Sequence, residues 1–121
     1  MENAKVLILE DSKERQEQFK KNFKDADITI VEHKAEAVAA LLSQKWDYMF
    51  LDHDLGGKAY VNVEEEDSGS GVARWLKDHP QSMPSHIFVH SVNEAGAKNI
   101  ISLIGGKHVP FVWTKEISFK E

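Results

Sequence analysis

Short apolar runs that stop at charged or hydroxyl residues alternate with stretches of helical periodicity, and this alternation confines the chain to an α/β fold. Val6-Leu7-Ile8-Leu9 is a continuous apolar run, the pattern of a strand covered on both faces, and it stops at Glu10-Asp11. Ser12 is placed to cap a helix running to about Lys24, with Phe19 and Phe23 one turn apart on its inner face. Ile28 to Val31 is β-branched and reads as a second strand. Val38, Leu41 and Leu42 then form a helical stripe. Tyr48 to Leu51 is a third strand, ending in Asp52-His53-Asp54. After a long loop, Val72, Trp75, Leu76 and His79 share a helical face that Pro80 terminates. Ile87 to Val89 is a fourth strand, ending at His90-Ser91. Ala97, Ile100, Ile101 and Ile104 mark a fourth helix, closed by Gly105-Gly106. Phe111-Val112-Trp113 reads as a fifth strand. The expected architecture is a mainly parallel sheet with helices on both faces.

At 121 residues the chain has the size of a single domain, here taken as 1–121, large enough to bury a core without staples. Twenty acidic against fifteen basic residues give a net charge of −5, which argues against a bulk nucleic-acid or anionic-membrane surface. A local site for a small phosphorylated ligand is compatible with that charge. Cysteine is absent, which excludes disulfides, Cys-ligated zinc and thiol catalysis. No apolar run approaches a membrane span and no secretion signal opens the chain, so a cytoplasmic location is expected.

Ligands of such sheets sit beyond the carboxyl ends of the strands, at a topological switch point. The residues there form a dense set: Glu10 and Asp11 after strand one, and Asp52, His53 and Asp54 after strand three. Strand four is followed by His90, Ser91 and Asn93, and strand five by Thr114 and Lys115. Glu10, Asp11 and Asp52 converge if strands one and three are neighbours, and their repulsion suits a divalent cation such as Mg²⁺. Glu10 and Asp11 would otherwise serve the first helix dipole. Strand alternation puts Asp52 and Ser91 on one side and His53 and His90 on the other, so the two histidines are expected to meet. They would share acid–base work on a phosphodiester, ligate a metal with Asp54, or sit buried against backbone carbonyls. Ser91 and Lys115 suit phosphate oxygens, although an exposed lysine is the commoner fate. Asn93 and Gly96 offer an anion a helix N-terminus, or simply a cap and turn. The loop from Gly56 to Gly71 is long enough to be functional, and its Glu64–Asp67 run reads as solvated, a lid or a repeller of polyanions. Val61 and Val63 flanking Asn62 allow a small hairpin there.

The order of these residues resembles a response-regulator receiver domain. That family has an acidic pair after strand one, a phosphoacceptor Asp after strand three, a Ser or Thr after strand four and a Lys after strand five. Glu10, Asp11, Asp52, Ser91 and Lys115 fill those positions. The resemblance implies the sheet order 2-1-3-4-5. The chain departs from most receivers at the extended loop after Asp54, at Val92, at Glu116 and at His90. These departures resemble a narrower group, the cyclic-phosphate processing receiver-like domains. The segments that carry this are Leu51 to Gly56, Ser68 to Leu76, and His90 to Asn99, with Glu10, Asp11 and Arg15 at the start. That resemblance implies hydrolysis of cyclic phosphates on nucleotides or RNA ends. Asp52, His53 and His90 would be catalytic, Ser91, Asn93 and Lys115 would bind phosphate, and Glu10, Asp11 and Asp52 would hold the metal. The alternative is a stand-alone receiver phosphorylated on Asp52 and read by a signalling partner. Asp54 counts mildly against it, because phosphorylation would add charge beside a carboxylate. A third possibility is a pseudo-receiver that only binds protein.

Overall fold

The computed structural model describes residues 3–55 and 61–109. Strand β1 (Lys5–Leu9) pairs in parallel with β2 (Asp27–Val31) on one side and β3 (Tyr48–Leu51) on the other. Beyond β3 lie β4 (His86–Val89) and β5 (Lys107–His108), giving the expected order 2-1-3-4-5. The fifth strand starts directly after Gly106, earlier than the sequence pattern suggested. Phe111-Val112-Trp113, Thr114 and Lys115 lie outside the described residues.

Right-handed crossovers fix which face each helix covers. From β1 the chain steps outward to β2, then reverses past β1 to β3, β4 and β5. Helix α1 (Lys13–Asn22) therefore packs on one face, and α2 (Lys34–Ser43), α3 (Gly69–Asp78) and α4 (Glu94–Ile104) on the other. The two cores follow the strand alternation. Val6, Ile8 and Phe50 meet Phe19 and Phe23 of α1, whose rings lie 5.4 Å apart. Leu7, Leu9, Met49, Leu51 and Val89 meet Leu41, Val72, Leu76 and Ile100 on the three-helix face. Each such side chain contributes roughly 1.5–3 kcal/mol by leaving water.

Ser12 caps α1 as expected, accepting from the Arg15 N–H. The α2 stripe differs from its reading. Ala37 and Leu41 are buried, Val38 is half-buried, and Leu42 is 64% exposed. Ala37 and Leu41 make the inward edge of the helix, and the buried Trp46 indole donates to the Ala40 carbonyl. Helix α3 stops before Pro80, and α4 ends at Gly105, whose φ of 77° belongs to glycine.

The loop before α3 forms no hairpin among its described residues. Val63 and Glu64 make a turn, with Glu65 N–H donating to the Asn62 carbonyl. Its acidic run is only partly solvated. Asp67 accepts from the Lys34 N–H at the start of α2 and pairs with the His33 ring, and Glu66 binds Lys34 and Arg74. Arg74 also donates to the Val63, Glu64 and Glu65 carbonyls.

Candidate active site

The switch point lies between β1 and β3, where the chain reverses direction across the sheet. Ile8, Phe50 and Phe88 are level in neighbouring strands and face α1. Two residues on, the same side of the sheet carries Glu10, Asp52 and His90. The backbone ladder continues past each strand to hold them: Glu10 N–H donates to Val31, Asp52 N–H to Leu9 and His90 N–H to Leu51. One donor atom from each of Glu10, Asp52 and His90 lies within 4.8 Å of the others, and all three residues are buried.

This register corrects one expectation. His90 is level with Asp52, because Leu51 pairs with Val89. His90 therefore joins the carboxylates on the α1 side, against the edge of Phe19, and does not meet His53. His53 lies on the opposite side, beneath α4, where a Cβ at Gly96 would come within 2.3 Å of its ring. Its Nε2 bonds the Val61 carbonyl at 2.7 Å and its Nδ1 the Ser70 hydroxyl at 2.9 Å. Of the readings for the two histidines, His53 fits the one buried against a backbone carbonyl, while His90 bonds a carboxylate, a partner that none of them named.

Glu10 is the most heavily engaged group. One oxygen accepts from His90 Nε2 at 2.9 Å and faces Arg15 at 3.5 Å, while the other accepts from the Ser12 N–H at 3.0 Å. Its carbonyl accepts from Gln16, which also binds Glu32, the partner of Lys13. Burial pushes the Glu10 carboxyl up, but the His90 hydrogen bond and charge, the Ser12 amide and Arg15 outweigh it, so its pKa falls below 4.5. Asp52 goes the other way. Burial and the Glu10 charge raise it above 3.8, against the opposing pull of His90, Arg15 and a hydrogen bond from Ser91. The two carboxylates of the cluster are thus shifted in opposite directions.

Asp11, expected among the metal ligands, is half-buried, and the residues whose ligand atoms converge are Glu10, Asp52 and His90. Ser91 sits beside Asp52, and its Oγ accepts from the Asn93 N–H. Asn93 is committed to the local structure: its Oδ1 caps α4 at the Gly96 N–H, and its Nδ2 reaches Asp54 and the Val61 carbonyl. Asp54 accepts from the Val61 N–H. Asp54, His53 and Asn93 therefore fasten the peptide of Val61, one residue of the long loop, and none of them belongs to the Glu10–Asp52–His90 group. Gly69 lets α3 begin against the end of β3, since a Cβ there would meet the Asp52 carbonyl at 2.3 Å.

The sequence reading gave Arg15 no role beyond its place near the acidic pair. Its Nη1 lies 3.4 Å from Asp52 and 3.5 Å from Glu10, bridging the two carboxylates. The available signal was spacing: Arg15 stands one turn into the helix that Ser12 caps, above the end of β1.

Solved structures with the same fold include the receiver domain of a response regulator from Methylobacillus flagellatus. It is 20% identical with a TM-score of 0.68, over 89% of this chain and 86% of that one. A phosphorylated cyanobacterial phytochrome response regulator matches at 20% identity and a TM-score of 0.70, covering 94% and 90%. The Mn²⁺-bound form of another response regulator matches at 18% and 0.70, covering 98% and 99%. Comparison with the curated proteins finds no match. Residues 5–106, from the first strand to the turn before the fifth, match the cyclic-phosphate processing receiver domain. Sheet order, switch-point cluster and sequence match agree, and the chain belongs to that family.

Proposed function

We propose that this domain hydrolyses cyclic phosphate esters, on a nucleotide or an RNA end, with a divalent cation held by Glu10, Asp52 and His90. The observation that carries the reading is the buried convergence of these three residues in a chain of this family. The donor set fits a cation. Burial raises the Asp52 pKa and the neighbouring Glu10 charge adds to it, and a divalent charge relieves both. Oxygen donors suit Mg²⁺, and the imidazole extends the fit to Mn²⁺. A receiver of the same fold has been solved with Mn²⁺. When bound, the cation would polarise a phosphoryl oxygen.

Ring opening adds water across one P–O bond. The water oxygen bonds to phosphorus, and the departing ester oxygen collects a proton. Glu10 fixes the His90 imidazole through Nε2, which would orient the ring for the cation. Ser91 would donate to a phosphate oxygen beside Asp52, with Lys115 as a second phosphate ligand. His53 and Asn93 would act by positioning, through the segment they fasten.

A phosphorus NMR time course with Mg²⁺ or Mn²⁺ and a 2′,3′-cyclic nucleotide tests the proposal. Conversion to the monoester is expected with the native chain, and a loss on the order of 10²-fold or more with His90→Gln. No conversion by the folded native protein would refute this substrate class. The second reading, phosphoryl uptake on Asp52 for a signalling partner, is favoured by the Ser91 hydroxyl against Asp52. Incubation with acetyl phosphate and intact-mass measurement reads it directly. A chain that neither turns over nor takes up phosphoryl would instead be a protein-binding module.

A further inference from the structure

The carboxylates of Glu10 and Asp52 already have a cation between them. Arg15 Nη1 spans both, at 3.5 and 3.4 Å. These contacts are long for charge-assisted hydrogen bonds, which close to about 2.7–2.9 Å when firm. The two carboxylate side chains are 0% and 4% exposed, whereas that of Arg15 is 32% exposed. Arg15 is thus the partly exposed member of an otherwise buried group. It arises from the first turn of α1, on a long side chain that can swing without disturbing the helix.

We infer that Arg15 is a resident counter-cation of the acidic cluster, which a divalent cation displaces and which then takes the substrate's phosphate at the mouth of the site. The inference rests on the metal-and-phosphate reading above. A divalent cation and a guanidinium compete for the same two carboxylates, and like charge drives the guanidinium outward once the ion is in place. A guanidinium turned to solvent beside a phosphoester site presents a planar fork that matches phosphate oxygens. The arrangement couples two events: the basic group becomes available for substrate when the metal is in place. By linkage, phosphate must in turn tighten the metal.

Mn²⁺ titration followed by electron paramagnetic resonance, on the native chain, Arg15→Gln and Arg15→Lys, tests the exchange. Arg15→Gln is expected to bind Mn²⁺ on the order of tenfold more tightly than the native chain, with Arg15→Lys between them. Inorganic phosphate should bind the native chain several-fold more tightly with Mn²⁺ than without, and Arg15→Gln should show a smaller dependence, the part left by the metal's own attraction for phosphate. A simple structural role would weaken Mn²⁺ binding on substitution and would overturn the inference. Equal Mn²⁺ affinity in native and Arg15→Gln chains would also overturn it while leaving the metal reading intact. No Mn²⁺ binding by any of the folded proteins would remove the metal reading and the exchange together.

Discussion

Gly96→Ala is the sharpest test of where His53 sits. An alanine inside a helix normally stabilises by about 1 kcal/mol relative to glycine. Here the added Cβ would stand 2.3 Å from His53 Cγ, 2.5 Å from Cδ2 and 2.6 Å from Cβ. The ring must retreat by about 1 Å to reach ordinary contact. It is held at both nitrogens, by the Val61 carbonyl and the Ser70 hydroxyl, and retreat sacrifices one of these bonds or lifts α4 from α3. Overpacking costs about 1–3 kcal/mol and a lost buried hydrogen bond about 1–3 more. Less the helix gain, the net destabilisation is about 1–5 kcal/mol. Urea denaturation reads this as a midpoint lowered by roughly 0.5–2.5 M, at a slope near 2 kcal/mol/M. The double variant His53→Ala/Gly96→Ala should recover at least about 1 kcal/mol relative to the sum of the single changes. A Gly96→Ala chain as stable as native, or strict additivity in the double variant, would refute the placement of His53 beneath α4.

The acidic cluster predicts two opposite pH responses. The Glu10 pKa is lowered, so its contribution to stability is complete above its unfolded value near 4.5 and lost as pH falls through the folded value. Glu10→Gln should therefore cost about 1.5–3 kcal/mol at pH 7, the worth of a hydrogen bond to a charged group, and much less in acid. The Asp52 pKa is raised, so the fold loses stability as pH rises from about 3.8 through the folded value. Asp52→Asn should stabilise the chain by about 1 kcal/mol at pH 7, a gain that disappears near pH 3 and that urea midpoints across pH will follow. Divalent cation at one hundred times its Kd should add about 2.7 kcal/mol of stability, visible as a raised Tm that a chelator reverses.

Much of this arrangement was legible from residue order. Each strand is an apolar run with a polar stop, and the switch-point rule singled out Glu10 and Asp52 for the site. What sequence parity could not supply was the level of one strand against its neighbour. Alternation within β3 and within β4 is read easily, but whether Asp52 is level with His90 or with Ser91 depends on inter-strand register. A usable signal existed. Asp52 and His90 are each the first polar residue after an apolar run, and aligning the run ends puts them side by side. The fastening of the loop was less accessible, because Val61, Asp54, Asn93 and His53 meet only through tertiary folding. The exposure of Leu42 likewise depends on how α2 is rotated against the sheet, which the helix's own periodicity does not contain.

The row formed by Glu10, Asp52 and His90 also bears on how the protein folds. Its members come from three strands, and the His90–Glu10 bond closes a separation of 80 residues. A slip of one residue by any of the three strands would turn its contribution to the opposite face. No hairpin or single βαβ unit contains the set, so a partly folded chain offers a cation only fragments of it. Cation binding should accordingly stabilise the native state without rewarding intermediates, slowing unfolding far more than it speeds refolding. The same separation makes the site a late product of folding, since the loop-closure entropy of the whole sheet is spent before the three side chains first meet.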